Sequence, residues 1–263
     1  MPMIRAMRLL NAVEAGTTSG VQLQTLLNAD AGRLAEWNVL MGMRGQTRRM
    51  AASSTAMTAV AASSTAMTAV AASSTAMTAV IASSTAMTAV NANDQAVRIW
   101  MLAGTNQVWS NFASVTAVAA SSTAMAAVAA SSTAKMAVFN SDTALNAIAA
   151  SATAMAAMRA ASGYIVGTNT ASTSPVAISG PNAAGSYIML GYSKNNAISQ
   201  GISLFSTRRS GSAIATSAAA ITSAASTAGA DVNIALPLVA PFQSTATTAT
   251  GLVWYFGMLR CDV

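Results

Sequence analysis

Large apolar residues recur along this chain at alternating steps of three and seven. Residues 51–60 read AASSTAMTAV, residues 61–70 and 71–80 repeat them letter for letter, and 81–90 differ only at Ile81. Met and Val are the large apolar positions of each block, as at Met57 and Val60. The longer step divides into four and three, so the series runs three, four, three: a helical seam, not the alternation of a strand. The period passes beyond the perfect copies through Trp100, takes an irregular step to Val108, and resumes at Val118, Val128, Val138, Ile148 and Met158. About eleven units therefore lie between 51 and 158, the mark of an array in which each unit contacts mainly its neighbours.

Ten residues over three turns is roughly 3.33 per turn, tighter than the ~3.6 of an α-helix. On an undistorted helix the seam would slip by about 80° per decad. Either the helix overwinds into a steep left-handed supercoil, or the chain breaks once per decad near Ala61-Ala62-Ser63, where Ser63 or Ser64 caps a new short helix. The recurrence of Ser-Ser-Thr favours the break. A lone helix has nothing against which to bury a Met/Val seam. The sequence therefore predicts an elongated shaft of parallel copies, three by analogy with fibrous shafts that end in a β domain. Its homotrimer core would be Met57, Val60, Met67, Val70, Met77, Val80, Met87, Val90, Trp100, Val118, Met125 and Val128.

The pattern changes on both sides of the repeats. Residues 1–50 read as a head of three short helices, 3–14, 21–28 and 31–43, with Asp30 capping the third. Fifty residues are few for an independent core, so Leu26, Leu27, Leu34, Trp37 and Leu40 are read as a docking surface for a larger assembly. The bland alternative is that they are simply core. Arg44, Arg48 and Arg49 mark a neck, either a solvated collar or a contact for an acidic partner. Residues 101–112 interrupt the decads with Trp109 and Phe112 close after Trp100, as a packing plug or a partner site. Lys135 falls where Met is expected.

From 161 on, short β-like runs alternate with Gly, Pro, Asn and Ser turns: 163–167, 186–192, 201–206, 232–239 and 252–260. They predict a C-terminal antiparallel β-sandwich knob over 161–263, with 252–260 as a central strand and 212–230 as a loop or an edge strand. The polar segments Lys194-Asn195-Asn196 and Arg208-Arg209, with Tyr192 beside the first, are its candidate receptor-binding residues. Arg suits carboxylate or phosphate groups and Tyr can stack on a sugar.

Composition removes function classes more than it adds them. The chain is 53% hydrophobic and 8% charged, yet four residues in ten of each perfect decad are Ser or Thr, and no run of ~18 apolar residues occurs. No membrane insertion is expected. The net charge of +6 is not arranged as a basic stripe interleaved with aromatics, so no nucleic-acid partner is expected. With no His, one Cys and seven acids, neither a catalytic triad nor a metal cluster is expected, and no cofactor is implied.

The Ala-Ser-Ser-Thr-Ala-Met decads, after a head reading LLNADAGRLAEWNVLMGMRGQTRRMAAS, resemble tail-fibre and related appendage proteins of tailed bacteriophages over roughly residues 20–160. The resemblance implies a non-enzymatic homotrimeric virion fibre at the tail, baseplate or collar. Its head (1–50) would sit on other virion proteins, its shaft (51–160) would act as spacer, and its knob would meet a host-surface glycan or protein. A cell-surface or ice-binding Ala/Thr-rich rod is the alternative.

Overall fold

The computed structural model describes residues 3–170, 176–177, 186–194, 200–208, 213–221, 232–246 and 253–262. These residues are mostly helical. Every perfect decad is one short helix: α5 (Ser54–Ala61), α6 (Ser64–Ala71), α7 (Ser74–Ile81) and α8 (Ser84–Asn91). The helix breaks once per decad, at the first serine. Ser63, Ser73 and Ser83 each have extended backbone, and each side-chain hydroxyl accepts from the N–H three residues on. A helix of eight residues is not stable alone, so what happens at the break decides the fold. Between α6 and α7 the axis turns by 99°. The other breaks share the same dihedrals, so three of them turn the chain through roughly 300°.

Each helix therefore returns over the one three places before it. In the first compact unit (Met1–Val118 with Asn140–Ala144), α4 (Arg44–Ala52) packs on α7, α5 on α8, and α6 on α9 (Asp94–Met101). The serine that breaks the helix also joins the coils. Ser73 Oγ donates to the Met41 carbonyl at 2.7 Å and Ser83 Oγ to the Ala51 carbonyl at 2.6 Å, both 32 residues earlier. Those carbonyls belong to helix C-terminal turns, where no intrahelical N–H remains for them. One hydroxyl so satisfies an orphan N–H of its own helix and an orphan C=O of the helix beneath it.

This geometry overturns the reason for expecting three chains. Met57, Val60, Met67, Val70, Met77, Val80, Met87, Val90, Trp100 and Val118 are all 8% exposed or less within a single chain. The sequence reading assumed a seam on a straight helix, which needs partners. A helix bent at every decad turns its seam toward its own neighbours instead. Burying one Met and one Val stabilises each decad by about 3–5 kcal/mol, an upper estimate.

The expected neck is a repeat unit. Helix α4 starts after Met43, which occupies the place of the capping serine, and Thr47 stands where later helices carry Met. Nor is the head a separate domain. Helices α1 (Ile4–Glu14), α2 (Gly20–Asn28) and α3 (Ala31–Met41) pack on one another and on α5 and α6. Leu23, Leu27, Trp37 and Leu40 are fully buried. The head thus covers the first coil of the decad stack, as a capping unit does in a repeat array. At this end Ser19 caps α2 and Asp30 caps α3, as the sequence predicts for Asp30, and two further capping groups come from elsewhere. Glu36 accepts from the backbone N–H groups of Arg5 and Ala6 at the start of α1, and Gln24 Oε1 accepts from the N–H of Ser64 at 3.0 Å.

The interruption at 101–112 begins as a plug and ends as surface. Trp100, Met101, Leu102 and Ala103 are buried. Gly104 takes a positive φ of 68° that favours glycine, and a single 3₁₀ turn (Trp109–Asn111) follows. Repeats restart at α10 (Val115–Ala120), whose Val115 N–H donates to Asp94 Oδ1 at 2.9 Å.

The second unit is Ala119–Phe139 with Leu145–Val263. It contains α11 (Ser122–Ala130), α12 (Ser132–Phe139) and α14 (Ala152–Arg159); α13 (Asp142–Ala149) begins among the residues of the first unit. The stacking rule recurs: α14 packs on α11, and Ser151 Oγ donates to the Ala119 carbonyl at 2.7 Å, again 32 residues back. Met125 and Val128 are buried here without a partner chain.

Among the described residues seven strands follow: β1 (Tyr164–Thr170), β2 (Val176–Ala177), β3 (Ser186–Lys194), β4 (Gln200–Arg208), β5 (Ala213–Ile221), β6 (Val232–Ala246) and β7 (Val253–Arg260). They pair antiparallel in one sheet of order β1-β7-β3-β6-β4-β5, with β2 on β6. A two-sheet sandwich is not seen among the described residues. The most apolar run, β7, does lie inside the sheet, between β1 and β3, and the Ala/Ser/Thr-rich β5 lies at its edge. Tyr187, Ile188, Met189 and Leu190 are all buried in succession, so both faces of β3 are covered there. Helices α12 and α14 pack against β3, and Arg159 Nη2 donates to the Leu190 carbonyl at 2.9 Å.

Candidate functional site

The expected docking residues divide. Leu27, Trp37 and Leu40 have no exposed surface, so they form core and offer nothing to a partner. Leu26 is 36% exposed and Leu34 is half-buried. The bland alternative weighed in the sequence therefore holds for the three buried residues. The reason is that Leu and Trp periodicity marks burial but does not say which neighbour buries it. Here the neighbour is the chain's own α5 and α6.

The expected receptor residues lie on the sheet or outside the described residues. Tyr192 and Lys194 are in the last positions of β3, in register with Phe256 and Trp254 of β7. Arg208 ends β4, in register with Leu238 of β6. Asn195, Asn196 and Arg209 lie outside the described residues. Lys135 is buried at the Met place of α12, beside Cys261 and Asp262. Burial pushes the Cys261 thiol up to about 12, with the Lys135 charge opposing it. The Arg260 guanidinium, at 2.8 Å from Asp262, holds that carboxyl below its ordinary value.

The first unit carries two clefts that the sequence does not announce. The larger, about 780 Å³, lies between α4 and the N-terminal turns of α7 and α8. Arg44 and Arg48 line one side, and Ser74, Thr75, Ser84 and Thr85 the other. Ala51, Ala52, Ala79 and Ala82 are also in the lining, and no carboxylate is. The two arginines differ from most of the other described ones. Arg5 pairs with Asp30 and Glu36, Arg33 with Asp30, Arg49 with Glu14, Arg98 with Asp94, and Arg260 with Asp262. The side chains of Arg44 and Arg48, like that of Arg8, have no hydrogen-bond or ion-pair partner among the described residues, and Arg44 and Arg48 line this cleft together.

Their position is also poor for the fold. Arg44 is the first residue of α4, which has no side-chain cap and no acid in its first turn. A cation at a helix N-terminus opposes the helix dipole by about 0.3–1 kcal/mol. Stacked decads carry Ser74 and Thr78 at the places equivalent to Arg44 and Arg48. The available signal in the sequence was the i,i+4 arginine pair without an acid. What was missing was the knowledge that α7 and α8 return to face it.

The smaller cleft, about 570 Å³, lies between α3 and α6 and includes Asn38, Thr68 and Trp109. The half-exposed Trp109 ring carries the Arg98 guanidinium 5.4 Å from its centroid. Arg98 is itself held by Asp94 at 2.8 Å. Among the described residues no group of three or more His, Cys, Asp or Glu side chains is placed to hold a metal ion. No single helix there is long and apolar enough to cross a membrane.

No family model matches the chain, and a search of curated proteins finds no match. The functional reading rests on the residues themselves.

Proposed function

We propose that this protein is a structural, non-enzymatic appendage protein of a bacteriophage virion. In this reading the short-helix coil is a spacer, and the strand-bearing unit meets a host-surface glycan or protein. The observation that carries it is the double use of the capping serine at Ser73, Ser83 and Ser151. Each of these three caps its own helix and ties it to the coil 32 residues earlier, twice in the first unit and once in the second. A unit whose joint to its neighbours recurs along the chain can be added or removed to set a length, which is what a spacer needs. The decad wording, Ala-Ser-Ser-Thr-Ala-Met, supplies the likeness to virion appendages.

The reading does not need three chains to bury the seam. It keeps Tyr192, Lys194 and Arg208, with Asn195, Asn196 and Arg209, as the residues to test for receptor contact, and it assigns attachment to other virion proteins to the N-terminal end. The ice-binding alternative is weaker for a physical reason. Thr78 and Thr88 hydroxyls are tied to the carbonyls of Ser74 and Ser84, and stacking every third helix separates successive decads onto different faces.

The test is direct. Peptide mass spectrometry of gradient-purified virions should recover this chain, and gold-labelled antibody should mark an appendage. Its absence from intact particles would sink the proposal. For attachment, free protein should compete with virions for host cells, and Arg208→Ala should reduce that competition several-fold.

A further inference from the structure

We infer that the cleft between α4, α7 and α8 binds an anionic saccharide, held through a phosphate-class oxyanion by Arg44 and Arg48. The inference stands on the cleft and not on the virion proposal. Three observations lead to it. First, the cleft holds two guanidinium groups one helical turn apart and no acid to neutralise them. Arginine presents a planar fork of donors that matches phosphate or sulfate oxygens in pairs. Second, those arginines stand where the stacked repeats carry small hydroxyl residues, and Arg44 is at a helix start that its charge disfavours. Their presence is not explained by the stability of α4. Third, the facing wall is made of hydroxyls: Ser74, Thr75, Ser84 and Thr85. A hydroxyl both donates and accepts, as do the hydroxyls of a sugar.

Size argues against a lone ion. About 780 Å³ falls in the range of sites that enclose small organic ligands, about 300–1,000 Å³. Chemistry argues against nucleic acid. Single strands are held by aromatic platforms interleaved with basic residues, and the lining of this cleft contains no aromatic residue. The alanines beside the arginines suit the apolar face of a sugar ring. The ligand class that matches all the groups is a short saccharide carrying one or two phosphate or sulfate groups.

The experiment is isothermal titration of the full chain with four probes: a monophosphorylated trisaccharide, the same trisaccharide without phosphate, inorganic phosphate, and a short single-stranded DNA. The phosphorylated trisaccharide should bind, and its affinity should fall with added salt. The neutral sugar and inorganic phosphate should each bind at least about tenfold more weakly, since each offers part of the contacts. Arg44→Gln with Arg48→Gln should lower affinity by about a hundredfold while the melting temperature holds or rises, because both side chains are exposed and unpaired. Thr75→Ala with Thr85→Ala should weaken the phosphorylated sugar and leave inorganic phosphate unchanged. Equal binding of neutral and phosphorylated sugar would overturn the assignment to the arginines. Inorganic phosphate matching the sugar would overturn the saccharide, and DNA matching it would overturn the ligand class. A double arginine variant that binds like the wild type would overturn the site itself.

Discussion

The perfect decads and the N-terminal cap solve the same problem with opposite means. In α5–α8 every helix packs on the one three places before it, so four copies of one sentence suffice. The residues are small, the breaks are serines, and no charge occurs from Ala51 to Asn93. In α1–α3 every helix has different neighbours, and the residues become individual. Leu10, Leu23, Leu27, Trp37 and Leu40 fill the core, the caps differ from helix to helix with Glu36 on α1, Ser19 on α2 and Asp30 on α3, and Arg5 bridges Asp30 and Glu36. The difference teaches that a repeat needs to encode only one interface, while the end of the stack must be written out residue by residue.

The largest effect should come from breaking the phase of the repeat. Deleting 71–75 removes the Ser73 break and leaves α7 without its start. We expect a loss of more than about 4 kcal/mol, seen as collapse of the cooperative melt. Inserting three further AASSTAMTAV copies after Val80 adds one full coil, and every helix still finds a decad beneath it. That longer variant should melt at or above the wild-type temperature.

A single serine should show the same contrast. Ser73→Ala loses an N-cap, about 0.5–2 kcal/mol, and leaves the Met41 carbonyl without its donor, about 1–3 kcal/mol more. Ser74→Ala, one residue on and exposed, should stay within about 0.5 kcal/mol. Chemical denaturation of the two variants decides whether the Ser-Ser pair has one structural member, as the hydrogen bonds indicate.

Much of this was legible beforehand. The decad break at Ser63, the interior place of β7 and the edge place of β5 follow from capping and strand patterns. The stacking partner was not legible, because a period of ten specifies a bend and says nothing of how many bends close a turn. That is why Met57 and Val60 read as an interface between chains, and why the Arg44/Arg48 cleft stayed hidden. The sheet was legible as strands but not as layers, since alternation identifies a strand without saying what covers each face.

Close packing separates the cap from the repeats at the level of glycine. A Cβ on Gly20 of α2 would lie 2.5 Å from Ala62 Cβ and 2.6 Å from the Ala59 carbonyl oxygen. Gly20→Ala should therefore destabilise by about 1–3 kcal/mol. A Cβ on Gly45 of α4 meets nothing within 4 Å, and Gly45→Ala should stabilise by about 0.5–1 kcal/mol. Opposite shifts in melting temperature are the expected result.

The smallest contrast is with pH. The Arg33 N–H and the Arg5 charge hold Asp30 below its ordinary value of 3.8. Burial opposes the same shift at Glu36, but hydrogen bonds from Arg5 and Ala6 outweigh it and hold that group below 4.5. Groups lowered on folding contribute stability that is complete above their unfolded values and is lost as pH falls through the folded ones. The cap should loosen below about pH 4, read as faster amide exchange in α1 and α3. Amides of the uncharged α6 and α7 should change little over the same range.

The central claim is that a decad is buried by the decad three places on in the same chain. Paramagnetic labels at Thr58→Cys and Thr88→Cys, in a Cys261→Ser background diluted with unlabelled protein, test it most directly. Both positions are exposed, on the stacked helices α5 and α8. Stacking predicts a backbone separation near 10 Å, and so an interlabel distance below about 20 Å. A continuous helical shaft would place them roughly 45 Å apart, and a distance of that length would contradict the account.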